Sequence, residues 1–409
     1  MTPAARPRKP TPPSADGGVL LFQDERLAAK GVPWHDPAFV EQTITAANAM
    51  SERWAATCDG TSTVMAGPGA WPLLALLATA ATGPGRDELA TAVGLDAAAA
   101  AGAGAELLAL LDDADAVRCA LGLWTRRDLD LDPSWSPPAG TRGTLTGEPA
   151  DDQRRLDAWA AEKTDGLIQE IPTRVTRDTR LVLASALTAR TAWADPFDGD
   201  TVLSRTTHDL RALVAGTPNG PVTMACVAGV EDIDVHLVQG DQPPGQVLAA
   251  AFGTLEGRHP VTNADDLPEG TTGPGVTVWF EEAWSPRASL RLTLPAFTVT
   301  ASHDLLDLPD VFGLDTVTDQ TRGHFPGIGA FPLAIGQAGQ NALARFDAEG
   351  FEAAAVTSFG MLAGSAPPTE TYRARRVAVT FEAPFGFLAV HRPSGLVLTT
   401  GWVDRSAAA

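Results

Sequence analysis

GFEAAAVTSFG, from Gly350 to Gly360, can be read at two periods. By propensity, a Glu followed by three Ala favours a helix. At period two the same run puts Phe351, Ala353, Ala355, Thr357 and Phe359 on one face, with Glu352, Ala354, Val356 and Ser358 on the other. Side chains this small suit a segment that is loop in one state and strand in another. Such a segment can enter between existing strands without clashing, and it gains backbone hydrogen bonds and buried area. Taken by itself the run is an exposed Ala-rich helix, so the choice falls to what surrounds it.

Downstream the chain reads as strand. RVAVTF at 376–381, FGFLAV at 385–390 and LVLTTGWV at 396–403 are apolar, and the last two flank HRPSG, a turn suited to a hairpin of buried strands. SLRLTLPAF at 289–297 has the same texture. Upstream, apolar residues recur at helical spacing in 39–56, 71–82 and 86–95, the latter two separated by Gly83-Pro84-Gly85. LDAWAAEKTDGLIQ, 156–169, sets Leu156, Trp159 and Ala160 against a charged face. LVLASALTARTAW, 181–193, suits a buried strand as well as a helix. Helices first and strands later, without regular βαβ alternation, predict an α+β protein. The Gly/Pro-rich stretch 240–275 is expected to be surface loops within one domain. Residues 1–18, Pro-rich and without an apolar block, are expected to form a disordered tail, leaving 19–409 as a single domain.

Composition narrows the function. With 409 residues and 44% apolar content the chain can bury a large core. Fifty acidic against thirty basic residues give a net charge of −20, which argues against nucleic acid or an anionic membrane as partner. No run approaches the roughly 18 apolar residues of a membrane helix. Cys58, Cys119 and Cys226 are too few and too scattered for a disulfide framework and read as buried thiols. No secretory signal is visible, so the cytoplasm is the expected compartment. Nucleophile elbows, Walker loops, GxGxxG and HExxH are missing, and no two of the seven histidines lie at metal-ligand spacing. No metal or cofactor is expected.

Five stretches in order carry a family likeness. LLALLATAATGPGRDELATAVGL (73–95), LDAWAAEKTDGLIQEIP (156–172), TRLVLASALTARTAWADPFD (179–198), DAEGFEAAAVT (347–357) and FEAPFGFLAVHRPSGLVLTTGWV (381–403) resemble the early helices, sheet-crossing helix, central strand, hinge and C-terminal signature of the serpins. The resemblance implies a single α+β domain of three β-sheets and eight or nine helices, with a reactive-centre loop at about 350–376. It also implies a protease inhibitor and not an enzyme. A target protease attacks the loop, forms an acyl-enzyme with its own nucleophile, and is trapped when the cleaved loop inserts into the central sheet of a metastable fold. The implied partner is a chymotrypsin-, subtilisin- or trypsin-like protease, and the implied state is a monomer. Many serpins are secreted, which makes an extracellular location the alternative.

Position by position, the likeness is uneven. Gly350 matches the hinge glycine. Phe351 stands where the family usually has Thr or Ser, and a ring there is expected to slow insertion and turn inhibitor into substrate. A non-inhibitory serpin, acting as substrate or binding module, is therefore the alternative function. Glu352, Ala353, Ala354, Ala355, Val356 and Thr357 keep the hinge character. Ser185 replaces the usual Asn beneath the sheet opening and Gln340 its usual His partner; the two are expected to be able to hydrogen-bond each other. Trp193 and Phe197 match the family's aromatic pair. Counting the family's interval from Gly350 places the scissile bond at Gly364-Ser365, with Met361, Leu362 and Ala363 beside it. The 34 positions from Gly350 to Pro384 exceed the family's usual interval, and counting back from Pro384 gives a bond after Arg373 instead.

Overall fold

Asp36 opens the first helix by accepting a hydrogen bond from the Ala38 amide at 3.0 Å, with Pro37 in the first helical position. A computed structural model describes the chain from here: residues 36–408, excepting 136, 138, 139 and 352–370. The expected 1–18 tail lies outside the described residues. Helix α1 (Pro37–Ala55) buries Ala46, Ala47, Met50 and Trp54. Its Asn48 donates to the Gly395 carbonyl and accepts from the Val397 amide, both at 2.9 Å, so α1 is sewn to the C-terminal hairpin.

That hairpin lies toward one side of a seven-stranded sheet ordered β1 (Thr63–Met65), β19 (Leu396–Val403), β18 (Phe385–His391), β9 (Ile233–Gly240), β8 (Gly220–Ala228), β7 (Ala212–Thr217) and β10 (Val261–Asn263). Every residue of β18 and β19 is buried, as two runs without polar alternation require. A five-stranded sheet is ordered β11 (Gly270–Gly273), β12 (Val276–Ala283), β17 (Tyr372–Thr380), β13 (Ser289–Pro295) and β6 (Val202–Thr207). Here the pattern does alternate: Val276, Val278, Leu290, Leu292, Val377 and Val379 face the core and the residues between them face solvent.

The remaining strands fall into two groups. β14 (Phe297–Asp304), β15 (Gly339–Phe346), β16 (Gly350–Phe351) and β5 (Thr191–Ala192) form one sheet; β3 (Thr141–Leu145), β2 (Val117–Arg126) and β4 (Leu181–Ala189) form another. The described residues therefore pair into four sheets instead of the expected three. The reason is physical: β4 runs into β5, but its length lies across a cleft from β15 with no ladder between them.

Six further helices pack on these sheets: α2 (Gly67–Ala80), α3 (Gly83–Val93), α4 (Ala97–Asp112), α5 (Pro149–Lys163), α6 (Pro244–Leu255) and α7 (Pro309–Phe312), with 3-10 turns at Leu305–Asp307 and Thr316–Thr318. Two expectations need correcting. Gly83-Pro84-Gly85 is the first turn of α3 and not a break, because Pro suits a helix N-terminus whose amides have no partner. The stretch 240–275 is not merely loops. Val247, Leu248, Ala251 and Phe252 are spaced for one helical face and are almost wholly buried in α6, and Gly245 lies so near Ala56 that a Cβ would fall 2.1 Å from its carbonyl oxygen. Among the described residues no single helix is long and apolar enough to cross a bilayer.

Candidate functional site

β4 and β15 line the two sides of a cleft of about 730 Å³. Its floor is α2, through Ala70, Leu73, Leu74 and Leu77, and its front is the segment from Ile168 to Arg180 that joins α5 to β4. β4 is paired with β2 on its far edge and β15 with β14. Among the described residues β4 has no strand partner along its cleft edge and β15 has only β16, at Phe346, so amide and carbonyl groups are presented along the rest of both edges at strand spacing. An apolar slot walled by two such edges has the chemistry to take one more strand.

β16 already begins that strand at one end. Phe351 pairs with Phe346 of β15 on one side and with Thr191 of β5 on the other, and Gly350 pairs with Ala192. The turn leading in is made by Asp347, whose Oδ1 accepts the amides of Glu349 at 3.0 Å and Gly350 at 3.1 Å. Gly350 itself is extended backbone within β16. Trp193 and Phe197 brace the turn. The Trp193 indole donates to the Asp347 carbonyl at 2.9 Å, its amide to Glu349 at 2.8 Å, and the Phe197 amide to Ala348 at 2.8 Å. The Trp193 and Phe346 rings lie 4.5 Å apart and the Phe197 and Phe346 rings 5.7 Å apart. Phe351 is seated in the sheet, only 2% exposed, with its ring 6.2 Å from that of Phe387. From the other side Glu231 accepts from the Thr191 hydroxyl at 2.6 Å, fixing β5.

Ser185 and Gln340 face each other across the slot but do not bond to each other. Ser185 donates to the Gly69 carbonyl at 2.5 Å. Gln340 accepts the Ala66 amide and donates to the Ala66 carbonyl, both at 2.8 Å. Both tie their strands to the N-terminal turn of α2. The expected side-chain pair is thus corrected to two side-chain-to-backbone clamps, possible because Gly69 has no Cβ: one would stand 3.2 Å from the Gln340 amide nitrogen. The front segment is clamped too. Gln337 accepts the Arg174 amide at 2.7 Å and donates to its carbonyl at 2.9 Å, while Asn341 donates to Glu170 at 2.9 Å. Sequence reading missed Gln337 and Asn341; their only signal is two amide side chains flanking Gln340, which names no partner.

Glu352, Ala353, Ala354, Ala355, Val356 and Thr357 lie outside the described residues, as do Met361, Leu362, Ala363, Gly364 and Ser365. Arg373 is described, and it is the second residue of β17, opposite Glu282. Its guanidinium meets Glu269 at 3.1 Å and lies 4.4 Å from the Phe280 ring centre. The expected end of the loop at 376 therefore moves back to before Tyr372, because residues 372–379 are paired to β12. The three thiols are free, and burial pushes those of Cys119 and Cys226 up to about 12, where they are unreactive.

Comparison with known proteins agrees with this geometry. A family model described as serpin (serine protease inhibitor) matches residues 46–207 and 262–405. Serpin B12 of Homo sapiens is 22% identical over 266 residues, 62% of this chain and 62% of its own length. The putative serpin-Z6C of Oryza sativa subsp. japonica is 26% identical over 322 residues, 69% of this chain and 73% of that one. Among solved structures, thyroxine-binding globulin in complex with thyroxine aligns with a TM-score of 0.65 at 14% identity, covering 90% of this chain and 98% of its own. A cleaved serpin 42Da aligns with a TM-score of 0.64 at 14% identity, with the same coverage.

Proposed function

Since this chain belongs to the serpin family, we propose that it inhibits a serine protease by offering the 350–371 segment as a substrate and then inserting it into the cleft between β4 and β15. The observation that carries this reading is β16: the chain enters the sheet at Gly350–Phe351, in line with a slot whose two walls, beyond the Phe346–Phe351 pair, lack strand partners among the described residues. Cleavage beyond Thr357 frees one end of the segment, and the strand can then extend from Phe351 along β15. Each added residue exchanges water for strand ladder and covers apolar floor. An acyl-linked protease would be carried with it.

We take 361–365, the region the count from Gly350 gives, to hold the recognised bond, in preference to the alternative after Arg373. Arg373 is held in β17 on paired backbone, where a protease cannot take it as an extended substrate, whereas Met361 or Leu362 would suit a chymotrypsin- or subtilisin-like pocket. Phe351 favours the inhibitory reading over the substrate one, since the ring is already within the sheet and its entry is not a barrier left to cross. The test is incubation with trypsin-, chymotrypsin- and subtilisin-like proteases. A covalent complex that survives SDS is expected with at least one of them; clean cleavage without complex by all would leave the substrate reading.

A further inference from the structure

The solvent face of the sheet that holds β17 is unlike the rest of this acidic protein. Strand register puts Trp279, Glu281 and Ala283 of β12, Tyr372 and Arg376 of β17, and Ser289 and Arg291 of β13 on that one face. The turn that follows β12 adds Trp284, which is 63% exposed, and Arg287, also exposed; Tyr372 is 41% exposed. Arg376 organises the patch by donating to Glu281 at 2.7 Å and to the Arg287 carbonyl at 3.0 Å, so the turn bearing Trp284 is held against β17. The Arg376 hydrogen bond to Glu281, with a second from the Trp279 indole at 3.4 Å and the fields of Arg376 and Arg291, holds the Glu281 carboxyl below its usual range. Glu282 points to the opposite face, beside Arg373. Three arginines, Arg287, Arg291 and Arg376, thus sit with one carboxylate, Glu281, on this face of a chain whose net charge is −20.

Exposed Trp and Tyr ringed by Arg are the side chains that dominate binding energy at protein interfaces, and planar guanidinium forks match carboxylates. The patch also begins at Tyr372, where the chain re-enters the sheet after the segment offered to a protease. We propose that this face is a second contact surface for the target protease, receiving a carboxylate-bearing patch beside the protease's active-site cleft. The inference rests on the inhibitor reading above, but it concerns capture of the protease and not its fate. A nucleic acid would meet the repulsion of the whole molecule, whereas a protein carboxylate needs only the local field.

The two readings separate in one kinetic experiment. For each protease of the panel, the rate at which the chain is consumed is counted as covalent complex plus cleaved chain, and the ratio of the two products is recorded separately. With the protease that reacts fastest, Arg287→Ala/Arg291→Ala is expected to lower total consumption about tenfold at low salt and to flatten its salt dependence, leaving the product ratio unchanged. Trp284→Ala is expected to lower consumption at all salt concentrations, and Arg287→Lys/Arg291→Lys to restore most of the salt-dependent part. Unchanged rate and salt dependence in the Ala variants, or no protease consuming the chain at all, would overturn the surface. A wild-type product ratio of cleavage alone would overturn inhibition while leaving the surface standing.

Discussion

Gln340 satisfies both backbone groups of Ala66, and Ser185, on the opposite wall, satisfies the carbonyl of Gly69. Removing Gln340 leaves a donor and an acceptor at a buried helix start, so Gln340→Ala is expected to destabilise the protein by about 1–3 kcal/mol, read as a lower urea midpoint. Ser185→Ala is expected to cost about 1 kcal/mol, and the double variant less than the sum because both side chains hold the same turn. An additive or negligible effect would show that the clamps are not carrying the turn. Phe351→Thr exchanges a fully buried ring for a small polar group, an expected loss of about 3 kcal/mol in the same assay. If the ring nonetheless slows insertion, the ratio of complex to cleavage will rise in the variant. An unchanged ratio removes Phe351 from any account of efficiency. Ser185, Gln340, Trp193 and Phe197 could all be picked out of the sequence, but not their partners. Those are main-chain atoms of Ala66, Gly69, Asp347, Ala348 and Glu349, and a carbonyl carries no residue signature.

Among elements, the runs with a continuous apolar pattern were legible. Residues 396–403 match β19 end to end, and 181–193 resolved into β4 and β5, the strand of its two readings. What escaped included long elements as well as short ones: α4, an Ala-rich helix of 16 residues; β2, β8, β9, β14 and β15, whose polar and small residues dilute the alternation; α6 among prolines and glycines; and the edge strands β10 and β11, of three and four residues. β9 supplies a pH prediction. His236 lies within it, opposite Cys226, and burial pushes its pKa from 6.5 down to about 4 against the opposing pull of Asp234. His391, at the end of β18, is shifted the same way by burial. A histidine with a depressed native pKa binds protons less readily folded than unfolded. Its contribution to stability is thus present above pH 6.5 and drains away as the pH falls toward about 4. The urea midpoint should decline through that window, and His236→Gln should make the decline shallower. An identical slope in the variant would exclude His236 as its source.

Over the whole molecule, sequence pointed to an α+β serpin, but it could not show the state of the central sheet. Pairing between β4 and β15 depends on residues far apart in the chain, and no local pattern reports whether two buried edges meet or stand apart. The structure separates them by a slot floored by α2, fronted by 168–180 and entered by β16. If the slot is where the loop goes, the described fold is short of one strand and the cleaved protein should be the more stable. The direct measurement is to cut the chain once within 352–370 with a protease, remove the protease, and compare thermal unfolding midpoints of intact and cut protein. Insertion of the cut segment predicts a midpoint higher by about 10 °C or more, with slowed hydrogen exchange in β4 and β15. A cut protein that unfolds at or below the intact midpoint would contradict it.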